Sequence, residues 1–247
     1  MKKFLCIILV CLLIIATALS AASCSDSASE SYVDPAPAAT IASWQKTYTA
    51  GDFGIRNKKD PFVEFTLNTG ETIRVELYPT VAPISVDNFI TYVKEGFYTG
   101  VAFHRIIEGR MIQCGGFEIK DNKYVQKTAT HDAIKGEFLA NGVMNTLSHT
   151  RGVISMARTS AYDSATSQFF ICSAVVTGWN GLYAAFGRVI DMESMAVVSR
   201  LEKVETAKEK LYGANESLDR EVTEYEKSSD VPVTRVTVKK AVLVWDK

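Results

Sequence analysis

Phe103-His104-Arg105-Ile106-Ile107, followed by Met111-Ile112-Gln113, decides the reading of this chain, together with a second stretch, Ser167-Gln168-Phe169-Phe170-Ile171. Each is a short apolar run rich in β-branched and aromatic residues, the composition of a buried strand. Set among them are an arginine, two glutamines and several aromatic rings. They include no nucleophile–base pair, no metal-ligand spacing and no phosphate loop. Groups of this kind suit a site that binds an apolar ring and aims a guanidinium at one atom.

The flanking sequence supplies the scaffold. Val63, Phe65 and Leu67 alternate with polar residues, Asn68-Thr69-Gly70 makes a turn, and Ile73, Val75 and Leu77 alternate with Thr72, Arg74 and Glu76. This pattern predicts a hairpin with one buried face. Pro83 suits the first turn of a helix, Val86, Phe89, Ile90 and Val93 share a face, and Gly96 sits where a C-terminal cap belongs. Short strands separated by Gly- and Asn-rich turns are expected over 99–190. A second helix is expected over Met192–Leu201, with Asp191 as N-cap and Met195, Val198 and Leu201 on one face. Residues 202–230, rich in Glu, Lys, Ser and Asp, read as a solvated helical or loop insertion. A last strand fits Val233 to Val244. No internal repeat is present. Many short strands with two helices predict a mainly β fold, a closed antiparallel barrel. The pattern alone does not give the number of strands.

The 247 residues suit one domain with a full core once a leader is removed. Hydrophobic content of 47% against 22% charged residues indicates a globular chain. A net charge of −1 with no basic block argues against a nucleic-acid partner, because phosphate binding needs a positive patch. The N-terminus differs in character. Lys2 and Lys3 precede an apolar run from Phe4 to Ala16, and Leu19-Ser20-Ala21-Ala22-Ser23-Cys24 follows. This reads as a secretory signal over residues 1–23. The cysteine after small residues resembles the bacterial lipobox, which implies that Cys24 is diacylated and begins the mature protein, although Ala21 stands where leucine is commonest. The alternative is an uncleaved anchor, for which the apolar run falls short of the roughly 18 residues a spanning helix needs. Either reading puts the domain outside the cytoplasm and tethered to a membrane. Residues 24–60 then form a tether and N-terminal extension containing Trp44, Tyr48 and Phe53, and residues 61–247 form the domain. Within the domain, Cys114 and Cys172 are expected as buried thiols, with a disulfide as the alternative.

The two opening stretches closely resemble the signature segments of the cyclophilins, the peptidyl-prolyl cis–trans isomerases. The resemblance spans roughly Pro61 to Leu201 and the final strand. It implies a closed barrel of eight antiparallel strands with a helix capping each end. It also implies that Arg105 is the catalytic arginine, that Met111 and Phe170 line a proline pocket, and that Gln113 orients a substrate carbonyl. In Gly152-Val153-Ile154-Ser155-Met156-Ala157-Arg158, the resemblance assigns backbone contacts with the peptide to Ala157 and Arg158, and Arg158 replaces an asparagine of many eukaryotic members. Gln168 matches the glutamine lining the neighbouring groove. Gly181-Leu182-Tyr183-Ala184-Ala185-Phe186-Gly187 resembles the next strand entry, with Tyr183 where histidine is frequent. Trp179 falls at or beside the pocket's leucine or tryptophan.

Two departures matter. Arg110 stands where the family has a pocket phenylalanine, and Gln113-Cys114-Gly115-Gly116-Phe117 differs from the usual Gln-Gly-Gly-Asp. His104, His131 and His149 show no ligand spacing, and His104 is expected to be a structural core histidine. Ser148-His149 and Ser155 invite a hydrolase reading, which no Gly-x-Ser-x-Gly elbow supports. The cyclophilin resemblance and the lipobox-like leader together imply a lipid-anchored prolyl isomerase for exported proteins. It would act on proline-containing polypeptides as a monomer, without cofactor or metal. The rival reading, motivated by Arg110, is a non-catalytic holdase that binds proline-containing peptides.

Overall fold

The alternation at 62–77 folds as a hairpin. In the computed structural model, which describes residues 60–219, 223 and 227–245, β1 (Phe62–Leu67) and β2 (Thr72–Leu77) pair antiparallel, with Val63 opposite Val75 and Phe65 opposite Ile73. Gly70, at φ +86°, makes the turn between them, a conformation that side chains disfavour. The leader, Cys24, the tether and Trp44, Tyr48 and Phe53 lie outside the described residues.

The chain continues through α1 (Pro83–Lys94), β3 (Val101–Ala102), β4 (Arg105–Ile107), β5 (Met111–Cys114), β6 (Phe117–Lys120) and β7 (Lys123–Gln126). It then forms β8 (Val153–Met156), β9 (Phe169–Cys172), β10 (Ala185–Val189), α2 (Met192–Leu201), β11 (Thr206–Tyr212), β12 (Lys227–Pro232) and β13 (Val238–Val244). Eight strands form one antiparallel sheet in the order β13-β1-β2-β10-β8-β9-β5-β4. Its concave core is built on an aromatic cluster. Phe65 stacks on Phe169 at 5.6 Å, Phe89 meets Phe169 edge-on at 5.4 Å and Phe186 at 5.1 Å, and Tyr98 closes on Phe65 at 6.0 Å. Edge-to-face and offset contacts of this kind add to the burial of the rings.

Both helices lie where periodicity puts them. Asp191 caps α2 by accepting from the Ser194 N–H at 2.7 Å. α1 has Ala82 at its N-cap and so no cap of its own. Glu137 supplies the missing acceptor, taking the Ile84 N–H at 3.0 Å and the Ser85 N–H and hydroxyl at 2.7 Å. α1 rests on β13 and β10, and α2 on β2.

The strand count of eight agrees with the expectation, but the closed ladder does not. The sheet is an open half-barrel, because β4 and β13 do not pair along their length. Among the described residues its edges approach through Gly100 N–H to Val238 O at 2.8 Å, Phe103 N–H to Val236 O at 3.0 Å, and one bridge between Ala102 and Thr237. The cause is that residues 101–107 are divided between two sheets: β4 pairs with β5, while β3 pairs with β6. β3 thereby joins a second sheet ordered β12-β11-β7-β6-β3, in which β11 and β7 run parallel. Residues 202–230 also depart from expectation, since their described part contains two paired strands rather than a helix or loop. Their polar composition hides this: among the described residues of 202–230 only Tyr212 is buried, and β12 adds Val231 and Pro232 beyond that range. The last strand begins at Val238 rather than Val233. The preceding residues turn, with Asn68 donating to Arg235 O and accepting from the Thr237 N–H.

Candidate active site

One register row builds the site. Across β4, β5, β9 and β8, Arg105 stands opposite Gln113, Gln113 opposite Phe170, and Phe170 opposite Ser155. The adjacent row is Ile106, Ile112, Ile171 and Ile154, and it belongs to the main core. Because side chains alternate across a strand, the isoleucines commit the neighbouring row to the outer face. The apolar runs of the sequence thus seal the core and, by their other parity, array an arginine, a glutamine and a phenylalanine side by side.

The outer face carries its own apolar cluster. Met111, Phe170, Trp179 and Tyr78 are buried in it, with Val153, Cys172 and Leu147, and with Ala157, Ile107 and Tyr183 packed against them. The Phe170 ring meets Trp179 at 5.0 Å and 74° and Tyr183 at 5.6 Å and 88°. Beneath Phe170 lies the His149 ring, 6.0 Å away and nearly parallel. His149 Nδ1 donates to Asn180 Oδ1 at 3.1 Å, and Nε2 pairs with Ser155 Oγ at 3.0 Å. Histidine, serine and asparagine are thus aligned, yet His149 and Ser155 are fully buried and Asn180 is 3% exposed. Burial lowers the His149 pKa to about 4, so the ring is neutral near pH 7. The trio is a buried prop beneath this apolar floor, out of reach of solvent. Ser148, His149 and Ser155 stand out in the sequence, but their partner Asn180 does not.

The polar groups are set around this floor. Gln113, buried, donates from Nε2 to Gln168 Oε1 at 2.9 Å. The close approach of Gln168 depends on the double glycine. A Cβ on Gly116 would lie 2.5 Å from the Gln168 side chain, and one on Gly115 would lie 2.4 Å from Ser167 O. Cys114, the departure within that segment, points into the main core, whereas Cys172 faces the pocket cluster. Opposite faces rule out a bond between them; both are free, and burial pushes both thiols up. The Ala157 N–H is committed to Gln168 O at 3.0 Å. The Arg158 guanidinium binds Leu182 O at 2.9 and 3.1 Å and lies over the Tyr183 ring at 4.7 Å, so its side chain steadies the Tyr183 wall. Arg110 is half-buried in the turn before Met111, its carbonyl accepting from the Ser173 N–H at 2.9 Å.

At the end of the row, the Arg105 side chain is 20% exposed and its Nε donates to Asp230 Oδ2 at 3.2 Å. Asp230 was not picked out from the sequence, where it is one acid in a polar stretch. His104, next to Arg105, is buried against Phe117 at 4.6 Å, and burial lowers its pKa to about 3. It is a core residue. Among the described residues no three His, Cys, Asp or Glu side chains are gathered to hold a metal ion.

Three comparisons with known proteins agree. The family model described as cyclophilin type peptidyl-prolyl cis-trans isomerase/CLD matches residues 62–237. A peptidyl-prolyl cis-trans isomerase of Acinetobacter baylyi is 43% identical over 164 residues, covering 64% of this chain and 79% of that protein. Peptidyl-prolyl cis-trans isomerase B of Escherichia coli is 39% identical over 156 residues, covering 59% of this chain and 87% of that protein. In fold, the chain is similar to a crystal structure of a cyclophilin-type isomerase of Cryptosporidium parvum, with TM-score 0.54 at 22% identity over 76% of this chain and 99% of that one.

Proposed function

The chain belongs to the cyclophilin-type peptidyl-prolyl cis–trans isomerases and is an enzyme of that class, and we propose that Arg105 is the group that accelerates X–Pro rotation in it. The uncatalysed rotation must break amide resonance, at a barrier of about 18–20 kcal/mol. In the twisted state the prolyl nitrogen becomes pyramidal and regains its lone pair. A donor aimed at that nitrogen stabilises the twisted state and not the planar ones, which is differential binding without proton transfer. Arginine suits the task because it stays charged and holds its donors in a fixed plane. By analogy with single oxyanion donors, the contact would supply about 2.7–4 kcal/mol. Met111 and Phe170 would hold the proline ring against the floor, and Gln113 would take a carbonyl of the substrate. Exclusion of water from the apolar floor strengthens the guanidinium's field.

The observation that carries this reading is the register row itself, which puts a guanidinium at the margin of an apolar, aromatic-walled surface. The test is kcat/KM on a short X–Pro peptide. Arg105→Ala should lower it about a hundredfold or more, and Arg105→Lys nearly as far. A folded Arg105→Ala protein with wild-type rates would overturn the assignment.

The leader supports a further part of the proposal: the enzyme is an extracytoplasmic lipoprotein, anchored through Cys24, that serves exported clients. Lys2, Lys3, the apolar run and the small residues before Cys24 are the grounds for it. Protein from the native host should lack residues 1–23 and carry lipid mass on Cys24; an unmodified Cys24 would contradict the anchor.

A further inference from the structure

Arg105 is gripped from outside the eight-stranded sheet. Its partner Asp230 belongs to β12, which lies beside β4 but pairs with β11 in the second sheet. The other Asp230 oxygen, Oδ1, accepts from the Ser229 hydroxyl at 2.7 Å. β12 is itself fixed. Val231 is fully buried against Tyr124 and Ala102. The Pro232 carbonyl accepts from Tyr124 Oη at 3.0 Å and from Arg235 Nη1 at 2.8 Å. The carboxylate therefore sits on a rigid strand rather than a loose loop, the arrangement that holds a functional group in one geometry.

Nε is the guanidinium donor nearest the stem. A bond there fixes the plane of the group without that bond engaging the terminal nitrogens. An arginine side chain has many rotamers to lose, so an untethered Arg105 would lose that freedom only when the twisted bond needed it. The pair is partly exposed, with side chains 20% and 31% accessible, and so adds little to stability. We infer that Asp230 is a positioning residue which acts through Arg105, presetting its guanidinium for the prolyl nitrogen. The inference rests on the role proposed for Arg105.

A double-mutant cycle on the full chain tests it, with kcat, KM and thermal midpoint measured on one X–Pro peptide for Asp230→Ala, Asp230→Asn, Arg105→Ala and the double variant Arg105→Ala/Asp230→Ala. Asp230→Ala should lower kcat about ten- to a hundredfold, the scale of a misplaced catalytic group, with KM and thermal midpoint little changed. Asp230→Asn, which keeps an acceptor oxygen, should recover most of the loss. In the Arg105→Ala background, Asp230→Ala should cost nothing more, because the effect passes through the arginine. Equal losses in both backgrounds would overturn the inference, as would an unchanged or faster kcat for Asp230→Ala, the sign of a carboxylate that competes with substrate. Wild-type rates in Arg105→Ala alone would instead overturn the parent reading.

Discussion

Arg110 brings a charge next to the apolar cluster, since it immediately precedes Met111 in the turn between β4 and β5. The family resemblance puts a phenylalanine there, and burying such a ring contributes about 1.5–3 kcal/mol. The aliphatic stem of Arg110 would recover part of this on binding a proline. Arg110→Phe should therefore raise kcat/KM several-fold on X–Pro peptides with apolar flanks, mainly through KM, because a ring that binds planar and twisted states alike does not change kcat. On peptides with a glutamate beside the proline it should lower kcat/KM, and more so at low salt, through loss of a charge-assisted contact. Equal rates for both proteins across a Glu, Ala and Phe panel would show that position 110 does not meet the peptide. At this scale the sharing of one face by Arg105, Gln113 and Phe170 follows from the alternation of their runs, whereas the roles expected of them came only from the family resemblance. Asp230 was not legible, because it reaches Arg105 through strand pairing far along the chain, and nothing in its neighbours marks it.

Among the elements, α1 depends on a residue outside itself. Its apolar spacing was readable and gave its extent from Pro83 onward, but Ala82 offers no cap, and the acceptor is the buried Glu137. Glu137→Ala would leave two helix N–H groups and the Ser85 hydroxyl without this partner. It should destabilise the fold by about 2–3 kcal/mol, more than an ordinary N-cap because the carboxyl group is buried and accepts three hydrogen bonds. Chemical denaturation should register this as a lower midpoint at unchanged slope, whereas a change below about 0.5 kcal/mol would mean that water replaces the cap. β11 and β12 show the opposite problem. Thr206-Ala207-Lys208-Glu209-Lys210-Leu211-Tyr212 has too few apolar residues to announce a strand. It is held by its ladder to β12 and by two residues paired with β7. The open edge of the main sheet was equally hidden, since no pattern in 101–107 says that β3 will leave β4's sheet.

For the molecule as a whole, His104 and His149 set an acid limit. Unfolded histidines take a proton near pH 6.5, whereas the buried rings do so only near about 3 and about 4. Between those values the unfolded state binds more protons, so stability is complete above about pH 6.5 and falls as pH drops through that window. Each ring contributes a slope of at most about 1.4 kcal/mol per pH unit. The loss of stability between pH 7.5 and 5, read from urea midpoints, should be smaller by about 2 kcal/mol in His149→Gln; an unchanged loss would mean that this ring is not held neutral. The central claim is that a single guanidinium lowers the rotation barrier of a proline already seated on the apolar floor. The most direct measurement is the on-enzyme exchange rate between cis and trans X–Pro peptide, followed by exchange NMR at saturating enzyme for wild type and Arg105→Ala. The account predicts a drop of about a hundredfold or more in that rate with peptide affinity nearly unchanged, and it would be contradicted by wild-type exchange in the bound peptide or by a loss confined to affinity.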